Sequence, residues 1–178
     1  PLHGPVLLAS NHRSNLDPFF LGVSFPRQIH FMAKAELWKV KTLGRIIETL
    51  GSFPVSRGSA DRQAVRCTIE FLDAGAVVGM FPEGHRQRDG GFGHINPGFA
   101  LFALREAVTT VPVVMEGTER VFRGGLPRLP RVRVTFGRPL PAPPPGINKA
   151  QRSTAMTRSL EKSFFALSGG SQHAGERT

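Results

Sequence analysis

Short apolar runs alternate along this chain with longer stretches whose apolar residues recur every third or fourth position, the mark of strands interleaved with amphipathic helices. The pattern predicts strands at Val6–Ser10, Ile29–Met32, Phe53–Ser56, Val77–Phe81, Val111–Met115 and Val132–Phe136. It predicts helices at Pro18–Ser24, Glu36–Leu50 with a break near Lys41, Ser59–Ala74, Pro97–Ala107 and Ile147–Leu167. Gly51 and Gly75 stand where helix ends favour a residue tolerant of positive φ. Gly84–Gly98 is Gly-rich and polar, whereas Pro127–Pro130 and Pro139–Gly146 are Pro-rich connections. This alternation predicts a single α/β domain over residues 1–168, followed by a disordered tail from Gly169 to Thr178.

Composition narrows the picture. The 178 residues are 40% hydrophobic and 20% charged, with 14 Phe and no Tyr, a globular rather than a disordered balance. The single cysteine, Cys67, excludes a disulfide framework and reads as core filling beside Val65, Ile69 and Leu72. A formal charge of +10 draws polyanions: nucleic acid, an anionic bilayer or a phosphorylated substrate. No window approaches the ~20 apolar residues of a membrane-spanning helix. Because the chain begins at Pro1 and runs almost at once into a strand, an N-terminal anchor could stand upstream.

Four stretches carry candidate chemistry. Ser10-Asn11-His12-Arg13-Ser14-Asn15-Leu16-Asp17-Pro18 leaves a strand and opens a helix, where α/β folds place their sites. Asp17 before Pro18 reads as an N-cap and first-turn pair. His12 and Asp17 stand five positions apart, close enough for a turn to fold them together. A carboxylate on one imidazole nitrogen fixes the tautomer and leaves the other to take a proton from a hydroxyl. A capping Asp and an unrelated surface His would fit the same stretch. In Gly51-Ser52-Phe53-Pro54-Val55-Ser56-Arg57-Gly58 a strand delivers Arg57 beside a helix start, either a phosphate seat or a solvated surface residue. Met80-Phe81-Pro82-Glu83-Gly84-His85-Arg86 offers Glu83 to hydroxyls and Arg86 to phosphate, or else forms a surface turn with an internal ion pair. Val111-Pro112-Val113 places a Pro in a strand, which requires an edge or a bulge.

In this order the four blocks resemble the glycerolipid acyltransferase family, whose bacterial lysophosphatidic acid acyltransferases carry Asn-His and then an Asp four residues beyond it. The resemblance runs from about Gly4 to Leu140 through Asn11-His12 with Asp17, Phe53-Pro54-Val55-Ser56-Arg57, Phe81-Pro82-Glu83-Gly84 with Arg86, and Val111-Pro112-Val113. It implies His12 as general base and Asp17 as its orienting partner. It also implies Arg57 and Arg86 near the acceptor phosphate, and Glu83 and Gly84, with Asn11 and Pro112, in the acceptor site. The implied fold is a mostly parallel central sheet wrapped by helices, acting peripherally at the cytoplasmic face of a membrane. His85 stands where the family usually has Thr or Ser, Gln87 replaces a common Ser, and Asn96 replaces a Lys. These departures bear on acceptor identity rather than reaction type.

The expected reaction is direct attack of a lysophospholipid hydroxyl on an acyl thioester, with acyl-CoA or acyl-carrier protein as co-substrate and no cofactor. A serine-hydrolase reading through Ser14 lacks the Gly-x-Ser-x-Gly elbow. A nucleic-acid module would suit the charge, but basic residues read as spread along the chain without a binding motif, so no nucleic-acid partner is expected. A non-catalytic lipid-binding module is the third rival. No metal site is expected, because no His pair has helical spacing and no cysteine partners exist. His30 reads as a half-buried structural residue. Met156, Leu160 and Phe164 form a stripe for core packing or membrane docking, and Trp38 and Phe31 with Lys34, Lys39 and Lys41 form a second candidate membrane patch, with core packing again the alternative.

Overall fold

The computed structural model describes residues 3–34, 51, 53–55, 60–87, 91–123, 126–144 and 146–169. Strand β1 (Val6–Ser10) leads into helix α1 (Asp17–Ser24), then β2 (Ile29–Lys34), β3 (Phe53–Val55), α2 (Ala60–Asp73) and β4 (Val77–Met80). A 3-10 turn (Pro97–Phe99) opens α3 (Ala100–Ala103), followed by β5 (Thr109–Glu116), a second 3-10 turn (Thr118–Arg120), the short strands β6 (Phe122–Arg123) and β7 (Leu126–Pro127), β8 (Arg133–Phe136) and α4 (Lys149–Leu167). The predicted helix Glu36–Leu50, with Trp38, Lys39 and Lys41 of the second patch, Arg57 and the tail beyond residue 169 lie outside the described residues, whereas Phe31 of that patch is buried in the core.

One six-stranded sheet in the order β3-β2-β4-β1-β5-β8 organises the chain, with the first five strands parallel and β8 antiparallel to β5. A mostly parallel sheet must be covered on both faces, and its central strands read as continuous apolar runs for that reason. β1 and β4 are buried at every position. On one face Leu7, Ala9, Val78, Met80 and Val114 pack against α2, α3 and α4. On the other, Leu8, Val77, Val111 and Val113 pack with Leu21 of α1. Each fully buried large apolar side chain contributes roughly 1.5–3 kcal/mol, so these two layers hold the sheet ends in place.

Several elements differ from expectation in ways the structure explains. The helix predicted over Pro97–Ala107 shrinks to a 3-10 turn and α3, because Ala107 turns to φ 62° and the β-branched run from Val108 is drawn into β5. Cys67 is only partly buried, since the inner face of α2 is carried by Ala64, Thr68 and Leu72. Met156, Leu160 and Phe164 are buried in the core, which gives the α4 stripe its packing role. His30 is half-buried, stacked on Phe71 with 4.1 Å between ring centres and donating from Nδ1 to the Gly51 carbonyl at 3.0 Å.

Pro112 sits at neither an edge strand nor a bulge. Asn11 N donates to the Val113 carbonyl, so odd-numbered residues of β5 face β1 and the Pro112 nitrogen faces β8. There the antiparallel ladder ends at Val113–Phe136, so the missing N–H forgoes only the terminal bond to Gly137, the next residue in register. Gly137 N donates instead to the Pro112 carbonyl at 2.8 Å.

Candidate active site

β1 and β4 are neighbours in the sheet, so the segments leaving their carboxyl ends, residues 11–17 and 81–87, meet in one crevice. His12 lies in it with 19% of its side chain exposed. Its Nδ1 is 2.8 Å from Asp17 Oδ2, and Asp17 is fully buried. The predicted pair therefore meets. With Nδ1 directed at a carboxylate, Nε2 is the nitrogen left for proton transfer, and no hydrogen bond holds it among the described residues.

Asp17 does not act as the expected N-cap. The cap position falls on Leu16, which makes no side-chain cap bond. The carboxylate points backwards: Oδ2 also accepts from Arg13 N at 2.6 Å and Ser14 N at 2.8 Å, while Oδ1 is buried without a hydrogen-bond partner. The physical reason is availability. The first helical amides are already taken, Asp17 N by the Ser14 carbonyl and Phe19 N and Phe20 N by the Leu16 carbonyl, whereas the turn presents the amides of residues 13 and 14 to Asp17, so one oxygen gathers them together with the His12 ring.

Glu83 is 4% exposed and bridges two backbones. Oε2 accepts from His12 N and Oε1 from Gly93 N, each at 2.9 Å. Gln87 N then donates to the His12 carbonyl at 2.7 Å, so the third sequence block clamps His12 through both its amide and its carbonyl. Burial raises the Glu83 carboxyl above its ordinary range, opposed by the Gly93 and His12 amides and by the positive charges of His12 and Arg13. Gly84, at φ 73°, closes the turn with its N–H on the Phe81 carbonyl at 3.0 Å. Arg86 and His85 are exposed beside it, open to an anionic acceptor.

Ring stacking fixes the plane of the imidazole. His12 lies on Phe81 with ring centres 4.2 Å apart and 22° between planes, and Phe81 lies in turn 6.1 Å from Phe31. Phe31 covers Gly79 so closely that a Cβ there would collide with the ring, which is why β4 carries a glycine in its buried run.

Two residues expected at the acceptor belong to the scaffold instead. Asn11 is 1% exposed and splices β1 to β5, donating from Nδ2 to the Met115 carbonyl at 3.0 Å and accepting from Met115 N at 2.7 Å. Pro112 is buried mid-strand opposite Ala9, on the sheet face of Val114 and away from the His12–Phe81 stack. Sequence reasoning missed four contributors: the Arg13, Ser14, Gly93 and Gln87 amides. All act through backbone, which leaves no residue-type signal. Arg13, 5% exposed and close enough to Glu83 to lower its pKa, was legible only as part of the first block. No cluster of three or more potential metal ligands occurs among the described residues.

The family model described as Acyltransferase matches residues 1–116. A 1-acyl-sn-glycerol-3-phosphate acyltransferase of Bacillus subtilis is 28% identical over 172 residues, covering 94% of this chain and 83% of that protein. The chloroplastic 1-acyl-sn-glycerol-3-phosphate acyltransferase LPAT1 of Arabidopsis thaliana is 32% identical over 124 residues, 68% of this chain but only 34% of that protein. The crystal structure of the 1-acyl-sn-glycerophosphate acyltransferase PlsC from Thermotoga maritima superposes with a TM-score of 0.69 at 22% identity, covering 99% of this chain and 68% of that one. At that identity the likeness speaks for the fold.

Proposed function

The chain belongs to the Acyltransferase family, and we propose that it moves a fatty acyl group from an acyl thioester to the free hydroxyl of lysophosphatidic acid, giving phosphatidic acid. The observation that carries the reading is the buried Asp17 carboxylate 2.8 Å from Nδ1 of a partly exposed His12, which leaves Nε2 for proton transfer. In the proposed reaction Nε2 takes the acceptor hydroxyl proton as the oxygen attacks the thioester carbonyl carbon. The tetrahedral intermediate collapses, the carbon–sulfur bond breaks, and the imidazolium passes its proton to the departing thiolate, releasing free thiol and restoring neutral His12. Asp17 stabilises that imidazolium by charge. No acyl-enzyme forms, so Ser10, Ser14 and Ser56 are not nucleophiles. Ser10 Oγ is in any case bonded within its own loop, to the Asn11 carbonyl at 3.2 Å.

Arg86, with Arg57 from the second block, supplies the cationic side of the acceptor site and selects a phosphate-bearing lysolipid. Glu83 acts as a positioning residue for His12, because both of its oxygens are occupied by backbone amides. The donor is acyl-CoA or acyl-carrier protein, used as co-substrate, and the enzyme works peripherally at the cytoplasmic face of the membrane; no described helix is long and apolar enough to cross one. The test is thiol release by the purified protein with each donor against a panel of lysolipids. Release that depends on lysophosphatidic acid supports the reading. Release at full rate without any acceptor, or a stable acyl adduct on a serine, overturns it in favour of a hydrolase.

A further inference from the structure

The positive charge of this chain is concentrated rather than spread. Nine of the 23 basic residues and none of the 13 acidic ones fall between Arg120 and Leu160, so that segment holds +9 of the chain's +10. Its first part leaves the carboxyl end of β5. Asn11 binds Met115 at that same end and His12 follows directly, so the basic segment emerges on the edge of the sheet that carries the site. Gly117, at φ 87°, turns the chain and lies against the Arg131 carbonyl, where a Cβ would collide. Residues 118–131 thus form a closed excursion, pinned at its base and stiffened by the pairing of β6 with β7 and by Arg128 N donating to the Val121 carbonyl at 2.8 Å.

At the end of this excursion Arg128, Leu129 and Arg131 are exposed, and Leu129 is as open as in an extended peptide, at 104%. Pro127 and Pro130 flank it and limit the backbone. Arg120 and Arg133 have Glu119 and Glu116 as neighbours, at 3.2 and 3.7 Å, whereas Arg128 and Arg131 have no carboxylate partner among the described residues. A fully exposed leucine between two arginines matches a lipid interface, where the leucine enters the acyl boundary and the guanidiniums remain among phosphates.

We infer that the exposed Arg128–Arg131 segment is a docking element that seats the catalytic edge of the sheet on an anionic bilayer. The inference rests on the proposed reading of the acceptor as a membrane lipid, and it adds the surface through which the protein meets that lipid. A bilayer fits better than an acidic protein partner, because the most exposed side chain of the patch is a leucine standing alone rather than in a groove. The charges steer the protein to the membrane, and Leu129 sets its depth.

The experiment is flotation of wild-type protein, R128Q/R131Q and L129S with vesicles of phosphatidylcholine alone or mixed with phosphatidylglycerol, alongside acyl transfer to a water-soluble short-chain acceptor. Each arginine near an anionic surface is worth about fivefold in binding, so R128Q/R131Q should bind the mixed vesicles roughly 30-fold more weakly. L129S should weaken binding to both vesicle types, and both variants should turn over the soluble acceptor at the wild-type rate. Wild-type vesicle binding by both variants overturns the inference. So does a double variant that binds vesicles normally but fails only with acyl-carrier protein as donor, which would assign the patch to an acidic protein. If no lysolipid is acylated and the variants still lose vesicle binding, the docking surface stands and the substrate reading falls.

Discussion

Replacing Asp17 with Asn separates the charge of the carboxylate from its shape. In the wild-type site Oδ2 faces His12 Nδ1, Arg13 N and Ser14 N at 2.8, 2.6 and 2.8 Å, and Oδ1 is buried without a partner. An Asn can place its carbonyl oxygen at the Oδ2 position and keep the backbone bonds in weaker, neutral form. Its NH2 group must then take the Oδ1 position, where no acceptor waits. A buried unsatisfied donor costs about 1–3 kcal/mol, and a domain of this size loses roughly 2–4 °C in Tm for each of those. The variant should therefore melt several degrees early yet remain folded at assay temperature. The catalytic loss is larger, because no charge remains to stabilise the imidazolium that forms during attack: kcat should fall ~10²-fold or more. Thermal unfolding and acceptor-dependent thiol release on one preparation give both numbers. Nearly full activity with a lowered Tm would show that Asp17 only staples the loop, and would refute its catalytic assignment.

Three further outcomes follow from the same geometry. His12→Ala should lower kcat by ~10²–10⁴-fold with little change in melting, since the ring is partly exposed; retention of a tenth of the wild-type rate would move the base elsewhere, with His85 the next candidate. Arg86→Ala and Arg57→Ala should each raise the acceptor KM by the loss of a charge-assisted contact of roughly 1.5–3 kcal/mol and leave the donor KM unchanged, whereas equal damage to both substrates would make these arginines structural. Glu83→Gln tests the buried clamp through pH: a carboxyl raised by burial stabilises the fold most below its unfolded pKa, and that contribution is lost as pH rises through the folded value. The Tm of wild type relative to Glu83→Gln should therefore fall with rising pH above the ordinary carboxylate range, and a difference that stays flat or grows would contradict the burial argument.

The sheet was legible because its central strands are buried on both faces. Val6–Ser10 and Val77–Met80 read as unbroken apolar runs, and a run of that length bounded by Gly or polar residues has few other folds open to it. The short helix after Phe99 was not legible to its true end, because Leu104 and Glu106 satisfy a helical pattern while the β-branched residues of β5 decide where the chain must turn. Cys67 misled for a related reason: α2 carries Val65 and Ile69 at the margin of its buried face, so periodicity alone places the face a few tens of degrees off.

At the site, legibility divides by mechanism. His12, Asp17 and Glu83 could be nominated because their chemistry lies in their side chains. The clamp that makes them work lies in amides, and an amide belongs to every residue but proline, so no sequence position advertises it. Asp17 shows how this alters a functional argument: Asp before Pro reads as a helix cap, yet its carboxylate turns back onto the Arg13 and Ser14 amides and the His12 ring. Asn11 shows the converse, a polar residue beside the base whose amide is committed to Met115 across the sheet. The histidine is thus fixed by groups leaving two neighbouring strands: Asp17 after β1 sets its tautomer, and after β4 Phe81 sets its ring plane and Glu83 with Gln87 its backbone. In the proposed reaction a base held this way needs little reorganisation when the proton moves, because the dipoles and charge that favour the imidazolium are already in place. On that reading the segments after β1 and β4 must occur together for the chemistry, while Arg86, to which the proposal gives the acceptor phosphate, is exposed on the second of them.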